Sequence, residues 1–301
     1  NKNIMNILIT GGSGFIGGAI FKKLKKKHNL YIYDKSKPKF KTKFIKGNLN
    51  EKRKLSVLIK KNKIDCIIHL AASLGVKDTE NNPSKVLSVN IGGTKNLLES
   101  ISGSKVKLVL FSSSSEIYGE TNKKGVKENS NFKPKSVYAH TKIIGEELIK
   151  AYSKIYKYEY LIFRFFNVCG FGQKKDFVIS KFISNAKKNK LIYVYGDGQQ
   201  KRCFCHVDDA TNAIIKLLKS KNRNDTYNVG NNNQPISMIN LAKLISKSFE
   251  EKIMIKKIPF NQSDRTKKRE IYFRKPDLSK IKKAINYKPK INLEKIIKEY
   301  F

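Results

Sequence analysis

Two stretches of this 301-residue chain carry side chains of the type and spacing that proton-transfer chemistry needs. The first is Tyr138-x-x-x-Lys142 in YAHTK. A phenol, with an ordinary pKa near ~10, is a poor base at neutral pH unless its anion is stabilised. An ammonium four residues along a helix shares the phenol's face and favours the phenolate, so the pair could take a proton from an alcohol. Spacing alone is weak here: Tyr-x-x-x-Lys occurs at 31/35, 33/37 and 138/142, about what chance gives for 14 Tyr in so lysine-rich a chain. Only the third follows helix-start residues, Pro134 and Ser136. It alone has a serine-bearing strand upstream, FSSSSEIYG at 111–119, the second stretch. Within it Glu116 is either an acid–base group or a structural carboxylate paired with one of the many lysines. Two of the four serines suit nothing more than strand-end capping.

A third motif concerns a cofactor. TGGSGFIGG, residues 10–18, contains Gly12-x-Gly14-x-x-Gly17 and the looser Gly11-x-x-Gly14-x-x-Gly17. Missing Cβ atoms let the backbone bend sharply and approach a pyrophosphate, which the dipole of the following helix stabilises. The motif follows an apolar strand, opens an amphipathic helix, and is followed 20 residues after Gly14 by Asp34. A carboxylate there accepts from ribose hydroxyls and repels a 2′-phosphate, so the expected cofactor is NAD rather than NADP, with Lys35 beside it as the opposing charge.

Elements must position these groups, and the sequence alternates them. Strand-like runs at Ile4 to Thr10, Leu30 to Asp34, Lys43 to Lys46, Cys66 to Leu70, Lys107 to Ser112 and Tyr160 to Arg164 take turns with helical patterns. The helices include one carrying Ile16, Ile20 and Leu24, and others at Leu55 to Lys61, Val86 to Ser100 and Val137 to Ser153. Such alternation predicts an α/β fold, a Rossmann-type doubly wound parallel sheet that binds ligands beyond the carboxyl ends of its strands. After about Phe166 the rhythm loosens. The expected organisation is an NAD-binding domain over 1–166, with segments around 203–230 returning to it, and a smaller discontinuous C-terminal substrate lobe over 167–301.

At this length a chain buries roughly 75% of its unfolded surface, so a core needs no staples. No apolar run approaches the ~18 residues of a membrane helix, and NKNIMNILIT leads straight into a strand, so a cytoplasmic location without membrane insertion is expected. Cys66, Cys169, Cys203 and Cys205 contain no C-x-x-C; reduced thiols and no metal are expected. The formal charge of +39 could signal nucleic acid. Yet only seven of the 63 basic residues are Arg, the lysines are spread over nearly every segment, and no aromatic–basic platform stands out. Nucleic acid is therefore not an expected partner.

Taken in order, TGGSGFIG, Asp34, HLAA (69–72), SSSSEIYG, YAHTK, RFFNVCG (164–170) and GDGQQKR (196–202) resemble the extended short-chain dehydrogenases acting on nucleotide sugars, the group that includes UDP-glucose 4-epimerases. The resemblance spans nearly the whole chain. It implies that Gly11, Gly14, Phe15, Ile16 and Gly17 hold the pyrophosphate end of NAD, with Asp34 and Lys35 at the ribose. Asn48 and Leu49 would lie near the adenine, and Leu70, Ala71, Ala72, Asn90 and Ser112 along the dinucleotide. The family usually has Asp at the Asn48 position; an amide oxygen can still accept there. Lys142 would also hold the nicotinamide ribose beside Tyr138, and Ser114 would donate or relay a hydrogen bond to the sugar hydroxyl. Asn167 and Arg202 would bind the diphosphate, Tyr195 would pack by the base, and Arg265 or Arg269 would supply a second guanidinium, with Arg265 preferred. A homodimer is a further family expectation.

The resemblance also ranks the reactions. Family dehydratases carry Asp-Glu where this chain has Ser115 and Glu116, and a serine protonates a leaving hydroxyl poorly. Decarboxylases have a similar Ser-Glu strand end, but Phe171 and Gly172 replace the polar residues expected around a sugar carboxylate. The favoured reading is an NAD-dependent epimerase of a nucleotide-diphosphate sugar, acting at C4 through a 4-keto intermediate. A decarboxylase, a 4,6-dehydratase or a 4-dehydrogenase of the same family is the alternative. From another class, a non-catalytic NAD-binding sensor or scaffold has no need of the full Ser114, Tyr138 and Lys142 set.

Overall fold

The computed structural model describes residues 4–74, 81–262 and 270–301. In chain order the first elements are β1 (Asn6–Thr10), α1 (Phe15–Leu24), β2 (Asn29–Asp34), β3 (Lys43–Lys46), α2 (Lys52–Lys61) and β4 (Cys66–His69). There follow α3 (Pro83–Leu87), a π-turn (Ser88–Gly92), α4 (Gly93–Glu99), β5 (Leu108–Ser114), a 3-10 turn (Ser115–Tyr118), α5 (Val137–Tyr156) and β6 (Glu159–Phe165). The later strands are β7 (Val168–Cys169), β8 (Leu191–Tyr195), β9 (Lys201–Arg202), β10 (Cys205–His206), β11 (Asp225–Val229), β12 (Ile236–Ser237), β13 (Met254–Ile258) and β14 (Phe273–Arg274).

Seven strands form the central sheet in the order β11-β6-β5-β4-β1-β2-β3. The pairs β1/β2, β2/β3, β1/β4 and β4/β5 are parallel. The chain lays β2 and β3 on one side of β1, then crosses back to place β4 on the other. That reversal opens a crevice at the carboxyl ends of β1 and β4, where open α/β sheets bind their ligands. β1 and β4 are buried almost throughout, and read as apolar runs rather than alternating ones because helices cover both faces of such a sheet.

The chain divides into two compact units. Unit 1 comprises Asn1–Ile117, Ser136–Arg164 and Ile214–Tyr227; unit 2 comprises Tyr118–Lys135, Phe165–Ala213 and Asn228–Phe301. The core of unit 1 joins Leu8, Ile67 and Val109 of the sheet to Leu55, Leu58, Leu97 and Ile149 of the helices. Unit 2 has its own core, in which Ile179, Phe182 and Ile183 of a helix pack with Ile192 and Val194 of β8 and Leu241 and Ile245 of another helix. Its small sheets pair β8 with β13, β7 with β10, and β9 with both β12 and β14.

α5 begins where Ser136 accepts a hydrogen bond from Ala139 N (3.1 Å), satisfying one of the amide groups left orphaned at a helix start. It buries Ala139, Thr141, Lys142, Gly145, Glu146 and Ile149, a stripe at helical spacing. Two of those six residues are charged, so the inner face of this helix is built for more than packing.

The single helix expected over Val86 to Ser100 is instead two helices joined by the π-turn. Asn90 sits in that turn, buried. Its Oδ1 accepts from Ser73 N (2.7 Å), and its amide donates to Ser73 O (3.0 Å) and Thr141 Oγ1 (3.1 Å). No apolar periodicity encodes such a bulge, a feature often found near functional sites. Among the described residues no helix is long and apolar enough to cross a membrane, and no group of three or more His, Cys, Asp or Glu could hold a metal.

Candidate active site

The glycine turn joins β1 to α1 at the crevice. Gly11 adopts φ +70°, and a Cβ added to it would lie 2.6 Å from Ala71 N. At Gly17 a Cβ would lie 2.6 Å from both Gly11 O and Gly12 Cα. Turn, helix and the segment after β4 thus meet backbone to backbone. Gly14 occupies the N-cap of α1 without a side-chain cap, and the half-buried Phe15 and Ile16 follow, so the first-turn amides are oriented to suit an anion. This cradle, which a Cβ would fill, fits the pyrophosphate of a dinucleotide.

At the tip of β2, Asp34 accepts from Ser13 N and Ser36 N, each at 3.1 Å. Each oxygen keeps a further lone pair for a ribose hydroxyl. Lys35 beside it is exposed. Asn48 is exposed and its Oδ1 accepts from Asn50 N (3.2 Å), whereas Leu49 is 5% exposed and packs against Gly93. Leu70, Ala71 and Ala72 are half-buried just beyond β4. The polar capacity of Asn90 goes largely to Ser73 and Thr141, linking the segment after β4 to α5.

The candidate proton-transfer groups Ser114, Glu116, Tyr138 and Lys142 all fall in the same unit. Lys142 is 3% exposed; its Nζ donates to Ser112 O (2.7 Å), lies 5.7 Å from the centre of the Tyr138 ring and 5.0 Å from that of Phe111. Burial pushes the Lys142 ammonium down to about 8, and the Glu146 carboxylate one turn along pulls it back up. Ser114, at the end of β5, accepts from Glu116 N (3.2 Å) with its hydroxyl oxygen, which leaves the O–H to donate elsewhere. The half-buried Glu116 accepts from Ser136 Oγ (3.2 Å), so a carboxylate on the 3-10 turn ties itself to the residue that starts the Tyr138 helix.

Three further residues of this unit received no role from the sequence: Glu146, outside every motif, and Arg164 and His69, which open RFFNVCG and HLAA. Glu146, fully buried, accepts from Ser113 Oγ (2.5 Å) and from Arg164 Nε (2.8 Å) and Nη2 (2.6 Å). An arginine inside the apolar run YLIFRFF was the signal, since a guanidinium there must find a carboxylate. His69 closes β4, with Nδ1 2.6 Å from Thr10 Oγ1 and Nε2 3.0 Å from Thr94 Oγ1. Burial first, then the nearby Lys142 charge, push its imidazole down to about 3.

The remaining expected residues lie in unit 2. Asn167 takes φ +39° and donates its amide to Cys203 O (3.1 Å). Tyr195 is half-buried and its hydroxyl accepts from Lys181 Nζ (2.6 Å). Arg202 is 8% exposed and donates to Glu270 Oε1 (2.9 Å), a carboxylate the sequence reading did not single out. Arg265 and Arg269 lie outside the described residues. All four cysteines are buried and free.

The chain is similar to known proteins over nearly its whole length. A UDP-N-acetyl-alpha-D-glucosaminuronate decarboxylase of Bacillus cytotoxicus is 32% identical, covering 97% of this chain and 95% of its own. A UDP-glucuronate 4-epimerase of Thermodesulfobacterium geofontis is 29% identical, covering 97% and 93%. Among solved structures, the UDP-N-acetylglucosamine 4-epimerase of Methanobrevibacter ruminantium, determined with UDP-N-acetylmuramic acid, superposes with a TM-score of 0.87 at 28% identity over 99% of this chain and 98% of that one. Residues 7–230 match the NAD dependent epimerase/dehydratase family as a whole, and the chain belongs to that family.

Proposed function

We propose that this protein is an NAD-dependent epimerase of a nucleotide-diphosphate sugar, acting at C4. The observation that carries the reading is the buried Lys142 ammonium beside the Tyr138 ring, at the carboxyl end of the strand bearing Ser114. Gly11, Gly14 and Gly17 would cradle the pyrophosphate of NAD, and Asp34 its adenosine ribose. When bound, the dinucleotide supplies a reversible hydride acceptor.

Tyr138, as phenolate, takes the proton of the sugar hydroxyl while the Ser114 O–H holds that oxygen in line. The Lys142 charge, fixed by Ser112 O, would favour the phenolate over the phenol. Loss of the C4 hydrogen leaves a flat 4-keto sugar, which turns its other face before the hydrogen and the Tyr138 proton return. Asn167 and Arg202 would retain the sugar through its diphosphate during that rotation; an arginine fork suits phosphate oxygens. Glu116 is engaged with Ser136 at the start of the helix, which favours an anchoring role over an acid for a leaving hydroxyl and so supports epimerisation over dehydration.

A second reading, decarboxylation, is favoured by the 32% identity to a decarboxylase. Incubation with UDP-, GDP- and dTDP-sugars separates the two. An isomer of unchanged mass supports the epimerase, whereas released CO2 selects the alternative. No conversion of any sugar by protein that binds NAD would refute both.

A further inference from the structure

We propose that Glu146 is a positioning residue for the proton transfer: clamped by Arg164 and Ser113 beneath the active site, its carboxylate holds Lys142 in the ammonium form. The inference rests on the reading of Tyr138 and Lys142 above. The stripe Tyr138, Lys142, Glu146 repeats every four residues of α5, so phenol, ammonium and carboxylate follow one another along one face. The ammonium is the member at risk. Enclosure at 3% exposure favours a neutral amine, and a neutral amine would no longer favour the phenolate.

Three groups oppose that loss. Ser112 O accepts from Nζ, the Phe111 ring lies 5.0 Å away, and Glu146, buried one turn along the same helix, supplies the negative charge. Among the described residues, Tyr138 on its own helix and His69 on β4 also face Lys142, the latter neutral under ordinary conditions, and the Arg164 guanidinium on β6, bound to Glu146, is the charge that opposes the carboxylate. Glu146 does not neutralise Lys142 by direct contact. Its two oxygens are committed to the Arg164 fork and the Ser113 hydroxyl, which fix the carboxylate in one orientation. Ser113 adjoins Ser112 on β5, so the strand that orients the carboxylate also orients the ammonium.

A buried ion pair can instead serve packing alone, and replacing such a pair by uncharged residues is often neutral for stability. The two roles differ in the titration of Lys142. Protein labelled with 13C at lysine Cε is titrated by NMR; the resonance that moves near pH 8, well before the other lysines, is identified as Lys142 by its absence from Lys142→Arg. Glu146→Gln should lower that midpoint by about one pH unit or more, the scale of losing one neighbouring opposite charge. The alkaline limb of the pH–rate profile should move the same way. Because Glu146→Gln strands the Arg164 charge and endangers folding, Glu146→Gln/Arg164→Met is the companion variant, and it too should titrate below the unaltered protein.

An unchanged midpoint in whichever of these variants folds overturns the proposal. So does a lower midpoint with no shift of the alkaline limb. Should the unaltered protein convert no sugar, the epimerase reading fails while the NMR midpoint still decides the influence of Glu146 on Lys142.

Discussion

Replacing Gly17 by alanine adds one methyl group where the proposed cofactor cradle has backbone on two sides. The added carbon would lie 2.6 Å from Gly11 O and from Gly12 Cα, about 0.8 Å inside ordinary contact. Both neighbours are backbone, so neither can swing aside as a side chain would. Overpacking of this kind costs about 1–3 kcal/mol, and it is relieved by opening the turn, the part of the site that must wrap the pyrophosphate. The cost should therefore fall on NAD affinity, weakening it about 5- to 150-fold.

Gly18→Ala is the matched control. Its Cβ would meet only Phe40 Cε1, at 3.5 Å, and alanine in a helix interior is favoured over glycine by about 0.5–1 kcal/mol. It should bind NAD normally and melt slightly higher. The assay is calorimetric titration of nucleotide-stripped protein with NAD, alongside thermal melts. If Gly17→Ala binds NAD as tightly as the unaltered protein, or if both variants weaken equally, the backbone-contact argument for the cradle is wrong.

Further outcomes follow from the same geometry. Tyr138→Phe should reduce turnover by at least about 10²-fold, the usual worth of a positioned general base, while leaving NAD binding intact; retained turnover would refute its role. His69 is held near 3 against an ordinary 6.5, so the unfolded chain binds a proton that the folded one refuses. Its contribution is complete above about pH 6.5 and is lost on acidification toward 3, at up to about 1.4 kcal/mol per pH unit. Urea midpoints measured across that window should fall less steeply for His69→Gln than for the unaltered protein, and equal slopes would contradict the assignment. Burial pushes the thiols of Cys66, Cys203 and Cys205 up to about 12 and that of Cys169 well above its ordinary value. Iodoacetamide should label none of the four in native protein and all of them in urea; rapid native labelling would show the cores to be more open than described.

The first half of the chain was readable because its chemistry sits at strand ends. A glycine turn, an aspartate and a serine run each follow an apolar strand, and the crossover order of a parallel sheet gathers such ends at one crevice. Strand limits moved by a residue or two: β5 runs to Ser114 rather than Ser112, so the serines extend the strand before the chain turns at Ser115. Long-range partners were not readable. The Glu146–Arg164 pair spans 18 residues and Arg202–Glu270 spans 68, and nothing in local periodicity couples such positions. The π-turn at Ser88–Gly92 was equally hidden, since Asn90 holds it through side-chain bonds to Ser73 and Thr141. Residues Tyr118–Lys135 group with the second unit although the sequence shows no change of texture there.

The bond between Glu116 and Ser136 spans the whole of that departing segment. The chain leaves the first unit after Ile117, one residue beyond Glu116, and re-enters it at Ser136, so the two hydroxyl-bearing pieces, the strand end with Ser114 and the helix with Tyr138, are fastened where they begin to diverge. Their spacing thereby becomes independent of how long the intervening peptide is. Residues could be added to or removed from that segment while the same bond went on fixing the separation of Ser114 and Tyr138.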